Sequence, residues 1–203
     1  MSRLAVVFLF SVAGNWLLAS AGQAHETVQH AAEVQPCVAH HLPTAHLQLS
    51  KVDTTLIFSP QGGGEALIVQ AIDAARHSIL MQAYSFTDGH IFAALERAEQ
   101  RGVDVNVILD KSDLERYRGW PSVAERFATM HIPVWIDDTV ETAHNKVLVL
   151  DGTDVITGSY NFSYAADQRN AENLLYLQQV PELARAYIAD WNWRRDCSRK
   201  YVP

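Results

Sequence analysis

The sequence predicts an α/β domain built on a mixed, largely parallel sheet sandwiched by helices. Two observations predict it. From about residue 53 onward, short β-rich apolar runs alternate with segments of helical periodicity, the pattern of a layered α/β domain. An Asp151-Gly152 turn between two apolar runs then predicts a hairpin, and so an antiparallel portion. The chain has 203 residues, 48% of them hydrophobic, enough for one sizeable core.

Each element follows from its residues. Thr54 to Phe58 reads as a strand ending at Pro60-Gln61-Gly62-Gly63-Gly64. The three glycines lack the Lys-Ser/Thr of a nucleotide-binding loop, so they read as a strand-to-helix turn. A helix follows with Leu67, Ile68, Ala71, Ile72 and Ala75 on one face, then a strand from Ser78 to Tyr84. Asp88 is placed to cap a second helix carrying Ile91, Phe92, Leu95 and Ala98, which Gly102 ends. Val103 to Leu109 is a strand, and Asp110 to Tyr117 a charged loop. Pro121 starts a third helix over 121–130, before a strand from Ile132 to Ile136. The hairpin pairs Lys146–Leu150 with Asp154–Thr157. A short helix near 162–168, a strand from Asn173 to Gln178 and a helix from Pro181 complete the order. That last helix lines up Leu183, Ala184, Tyr187, Ile188 and Trp191.

Residues 1–24 read as a secretory signal peptide: Arg3 leads an apolar run to Leu18, and small residues follow at Ala19-Ser20-Ala21 and Gly22-Gln23-Ala24. The run is short of the ~20 residues a membrane span needs, and Gly14 and Asn15 interrupt it. The expected location is therefore periplasmic or extracellular. Residues 25–50 form a histidine-rich extension, with His25, His30, His40, His41 and His46 among the nine histidines. Their spacing is not that of a defined metal site. Cys37 and Cys197 can pair in an oxidising compartment, within one chain or between two, or stay unpaired.

The formal net charge of -7 excludes nucleic-acid binding through bulk positive charge but leaves room for a local basic cleft. Candidate contacts for a polyanion are Lys111, Arg116, Arg118 and Arg169. Tyr84, Phe86, Trp120 and Tyr160 are candidates for stacking on bases. Arg194, Arg195, Arg199 and Lys200 read as a solvated helix end.

The chemistry concentrates between His144 and Glu172. The segments are His144-Asn145-Lys146 leading to Asp151, Gly158-Ser159-Tyr160-Asn161, and Asn170-Ala171-Glu172-Asn173. Residues two apart on a strand face the same side, so His144 and Lys146 project together. Gly158 to Asn161 ends the return strand and opens a helix, offering N–H groups, a hydroxyl and an amide to an anion. A phosphodiester under attack needs cations and donors around its oxygens, which Lys146, Ser159 and Asn161 supply. A neutral imidazole at His144 suits a nucleophile when a carboxylate such as Glu172 fixes its tautomer. No carboxylate cluster suggests a catalytic metal, so no cofactor is expected.

These residues carry a resemblance. The segment is similar to the HxKxxxxDxxxxxxGSxN signature of the phospholipase D superfamily, matched at every fixed position, and Glu172 trails it. The likeness extends more loosely over 53–195, including Gln82 to Thr87, which makes 51–203 a phospholipase D-like phosphodiesterase domain. Within the superfamily the chain most resembles small bacterial nucleases with one motif, of the EDTA-resistant type.

The resemblance implies roles for this chain's residues. His144 would form a phosphohistidine, Lys146 and Asn161 would bind the phosphoryl oxygens with help from Ser159, and Glu172 would orient His144. Asp151 and Gly158 occupy motif positions, Asp151 reading better as a turn residue that steadies the site than as a catalyst. Family enzymes bring two motifs together, whereas His77, His90 and His131 here lack a Lys two residues on. A homodimer with one composite site is therefore expected. The implied activity is metal-independent, non-specific cleavage of DNA, and of RNA as well. The alternatives are a lipid phosphodiesterase or phosphatidyltransferase, and an inactive nucleic-acid-binding module.

Overall fold

The structure, a computed structural model, describes residues 45–115 and 119–203. The expected signal peptide, most of the histidine-rich extension, Cys37, Arg116 and Arg118 fall outside the described residues. The elements run β1 (Asp53–Phe58), α1 (Gly64–Ala74), β2 (Ser78–Ala83), α2 (Gly89–Gln100), β3 (Asp104–Asp110), α3 (Val123–Thr129) and β4 (Val134–Asp137). They continue with β5 (Lys146–Leu150), β6 (Asp154–Gly158), α4 (Tyr164–Gln168), β7 (Asn173–Gln178), α5 (Pro181–Cys197) and β8 (Arg199–Lys200).

The strands form one open sheet in the order β1-β7-β6-β5-β2-β3-β4-β8. It is mixed, as expected, but parallel pairing is confined to β2-β3-β4. The remaining neighbours are antiparallel, so the antiparallel portion extends well beyond the hairpin. Only the β5-β6 pair follows from a short link, which cannot return a strand in parallel; β6 and β7 are joined through α4 and still pair antiparallel.

Alternation along the strands explains why helices cover both faces. Leu148, Leu150, Ile156, Leu174, Ile79 and Met81 join one apolar cluster with α1, α2 and α3. Their neighbours Val147, Val149, Val155, Leu177 and Leu80 pack on the other side with Ala184, Leu183, Tyr187 and Ile188 of α5. The Trp191 indole N–H donates to the Met81 carbonyl at 3.0 Å, fixing α5 across the sheet.

Capping matches the sequence in three places. The Asp88 carboxylate accepts the His90 and Ile91 N–H groups at 2.9 and 3.0 Å and starts α2. Gly102, at φ 83, follows the end of α2. Asp151 turns the hairpin at φ 51. At α3 the boundary shifts: Ser122 caps the helix and Pro121 precedes the cap. The charged loop opens with a 3₁₀ turn over Lys111–Leu114, capped by Asp110.

The Gly62–Gly64 turn is shaped by close packing. A Cβ at Gly62 would stand 2.1 Å from the Phe58 carbonyl oxygen, and one at Gly64 would stand 2.7 Å from the Tyr160 ring. The basic C-terminal segment is not a free helix end. Arg194, half-buried, reaches the buried Asp137 carboxylate at 3.3 Å, and Arg199 and Lys200 form β8 against β4. The short β8 gave no signal in the sequence because two polar residues carry no periodicity. Cys197 is buried at the end of α5.

Candidate active site

Register assembles the site. Ala83 pairs with Lys146, Val147 with Thr157, Gly158 with Leu174, and Phe58 with Asn173. These pairings bring the ends of five strands together within about one residue of register, and those ends carry the residues that flank His144, Ser159, Glu172 and Ser59. They sit at one end of the sheet because a strand's side chains keep their level only while its pairing is unslipped.

His144 is exposed just before β5. Its ring lies 4.4 Å from that of Tyr84, tilted at 51°. Lys146 opens β5 and is only 6% exposed. Its ammonium donates to the His144 carbonyl at 2.8 Å and lies 4.8 Å from the Tyr84 ring centre. Burial lowers the Lys146 pKa below the ordinary amine range, and the negative charge of Glu172 opposes that shift. A desolvated ammonium interacts more strongly with an arriving anion than a hydrated one. The His144 ring and the Lys146 ammonium thus lie against the same aromatic ring.

The Gly158–Asn161 segment faces the same end. A Cβ at Gly158 would stand 2.1 Å from the Asn173 carbonyl oxygen, so the close approach of β7 demands glycine. That approach lets the Ser159 N–H donate to the Asn173 carbonyl at 3.0 Å. Ser159 is exposed, and its hydroxyl donates to Glu172 at 2.6 Å while accepting the Asn173 N–H at 3.1 Å. The Asn161 Oδ1 is buried and has no hydrogen-bond partner among the described residues.

Glu172 stands elsewhere than expected. Its carboxylate oxygens accept from Ser159 Oγ and from Asn170 Nδ2, the latter at 3.1 Å, rather than from His144. Ser59 frames its backbone: the Glu172 N–H donates to Ser59 Oγ at 3.1 Å, and the Ser59 N–H donates to the Glu172 carbonyl at 3.0 Å. Neither Ser59 nor Asn170 was singled out by the sequence. The Asn170 position beside Glu172 was visible, but Ser59 enters only through the pairing of β1 with β7.

Asp151 is a structural anchor. Its carboxylate accepts the N–H groups of Arg76, His77 and Ser78 at 3.0, 2.8 and 3.1 Å, tying the hairpin turn to the start of β2. Burial acts to raise its pKa, yet these N–H groups hold it below the usual carboxylate range. The loop before His144 is fixed likewise: Asp110 accepts the Ala143 N–H at 2.8 Å.

The stacking candidates separate. Phe86 and Tyr160 are core residues, 0% and 2% exposed, and so cannot meet a base. Tyr160 donates its hydroxyl to Asp167 at 2.9 Å. Tyr84 lies under His144 and Lys146, while Trp120 is 73% exposed. Among the basic candidates, Lys111 donates to the Val140 carbonyl at 3.0 Å, and exposed Arg169 lies 5.7 Å from the Tyr164 ring centre.

The chain is similar to known proteins. Residues 68–194 match the family described as cardiolipin synthase, PLD-like domain. The chain is 41% identical over 161 residues to a phospholipase D of Rickettsia bellii, covering 76% of this chain and 74% of that one. Its structure is similar to that of Nuc, a phospholipase D family member from Salmonella typhimurium. That likeness has a TM-score of 0.69 and 35% identity, over 75% of this chain and 100% of the other. NucT from Helicobacter pylori shares the fold at a TM-score of 0.62 and 21% identity, over 74% of this chain and 100% of its own. With the matched signature seated at one sheet end and the family match covering most of the domain, the chain belongs to the phospholipase D superfamily and is a phosphodiesterase of that superfamily.

Proposed function

We propose that the protein is a metal-independent endonuclease that cleaves DNA, and RNA as well, through a phosphohistidine at His144. One observation carries the reading: an exposed imidazole stands beside a nearly buried ammonium on a single aromatic support. The nucleophile is open to a bulky substrate, and Lys146 and the Ser159–Asn161 segment provide charge and donors for the phosphoryl oxygens. His144 attacks phosphorus, the leaving oxygen departs with a proton, and water then hydrolyses the phosphohistidine. The chain holds one motif, so the proton donor is assigned to His144 of a second copy in a two-fold dimer. The protein is exported to the periplasmic or extracellular space, where residues 1–24 direct it.

A second reading, a lipid phosphodiesterase, is favoured by the name phospholipase D on the Rickettsia bellii relative. One assay separates the two. Wild type and His144→Ala are given plasmid DNA, single-stranded RNA and phosphatidylcholine vesicles in EDTA. Nucleic-acid cleavage by the wild type alone is the expected result. Lipid turnover alone overturns the nuclease in favour of the lipase, and activity in His144→Ala removes the nucleophile. Light scattering at the assay concentration is expected to give the mass of a dimer, and an active monomer overturns the composite site.

A further inference from the structure

Outside the His144 site, α1 and α2 bring together three side chains of metal-ligand type. Glu65 lies in the first turn of α1, Asp88 caps α2, and His90 lies in its first turn. One ligand atom from each lies within 4.8 Å of the others. His90 Nδ1 is 2.8 Å from a Glu65 oxygen. Two carboxyl groups and an imidazole from two helices therefore converge on one point.

We propose that Glu65, Asp88 and His90 bind one divalent first-row transition-metal ion, for which Zn²⁺ is the probe. Imidazole and carboxylate are the donors such ions accept. The ligands are held in advance. Asp88 is 3% exposed, with one oxygen fixed by the His90 and Ile91 N–H groups. The Glu65 N–H donates to Asp167 at 3.1 Å. His90 is exposed, and an open groove of about 590 Å³ along Glu65, Val69, Gln70 and His90 gives the ion and its waters a way in. Arg97, which also lines the groove, is paired with Asp73 at 2.7 Å.

The position gives the ion a structural use. Thr87 and Asp88 N–H groups donate to the Phe162 carbonyl, next to Asn161. The Tyr160–Asp167–Glu65 chain joins the same segment to α1. A bound ion would clamp α1 and α2 behind the turn that carries Asn161. It shares no residue with the His144 site, so the proposal stands apart from the nuclease reading.

The test is titration of the metal-freed protein with Zn²⁺ by calorimetry and with Co²⁺ by visible absorption, beside Glu65→Gln and His90→Ala. The histidine-rich extension is present in all three proteins, so only differences between them count. Wild type is expected to bind roughly one equivalent more than either variant, and its visible Co²⁺ bands are expected to weaken in both. Zn²⁺ is expected to raise the melting temperature of the wild type more than that of either variant. Circular dichroism of the metal-free variants checks that they fold, and Asp88→Asn, which keeps the helix cap, serves as a further variant. Equal stoichiometry and equal bands in wild type and variants would overturn the site.

Discussion

Tyr84 supports both reactive groups at once, with its ring 4.4 Å from His144 and 4.8 Å from the Lys146 ammonium. The sequence suggested a base-stacking role for this residue, but the pairing of Ala83 with Lys146 turns the next residue toward the site instead. An aromatic face beneath an ammonium contributes about 0.5–2 kcal/mol and restricts where that ammonium can sit. Tyr84→Phe is expected to keep near-normal turnover, because the ring rather than the hydroxyl does the positioning. Tyr84→Ala is expected to lose about tenfold or more in kcat with a smaller change in KM. Steady-state kinetics on plasmid DNA with EDTA present measures both.

Glu172 and Ser159 are expected to act as a unit, given the 2.6 Å hydrogen bond between them. Glu172→Gln leaves one acceptor oxygen where two served, and Ser159→Ala removes a donor. Each single change is expected to cost about ten- to hundredfold in kcat. The double variant is then expected to be little worse than Glu172→Gln alone. Losses that simply multiply in a double-mutant cycle would show that the two residues act independently.

Asp151 serves the fold more than the reaction. Its carboxylate takes three backbone N–H groups from Arg76 to Ser78. Asp151→Asn tolerates the positive φ but loses the charge and one acceptor, at a cost of about 1–2 kcal/mol. Urea denaturation is expected to show that loss, while kcat/KM of the folded variant stays within a few-fold of normal. Because the native pKa is depressed, this contribution is present at neutral pH and is lost as pH falls through the native value.

Asp113 gives the opposite pH dependence. Burial raises its pKa to about 7, the Phe86 N–H opposing and the charge of Asp110 adding to the rise. The native state therefore holds a proton that the unfolded chain releases near the ordinary carboxylate range. The associated stability is full at acid pH and is lost as pH rises through about 7. The full swing is at most roughly 4 kcal/mol. Asp113→Asn is expected to flatten this slope and to be the more stable protein at pH 8. Denaturation at pH 5 and pH 8 provides the check.

Much of this was legible in the residues. The signature between His144 and Asn161 is local and survives any arrangement of the rest, and helix caps such as Asp88 announce themselves by type and position. Three features were not legible. The dominance of antiparallel pairing depends on strand order, which alternation alone does not set. The partners of Glu172 depend on register between β1 and β7, neighbours in the sheet that bring together Ser59 and Glu172, 113 residues apart in sequence. Phe86 and Tyr160 read equally well as base-stacking or as core aromatics at strand ends, and both lie in the core. A sequence shows which groups are present near a motif, and only long-range pairing decides which way they face.

Those strand-end pairings also bear on folding. The β5-β6-β7 meander pairs strands consecutive in sequence, whereas β2 must find β5, and β1 must find β7, across much longer stretches of chain. His144 gains Tyr84, and Glu172 gains Ser59, only when those two long-range pairings are complete. A chain holding the β5-β6-β7 meander alone would carry the whole signature without the Tyr84 and Ser59 contacts of the site.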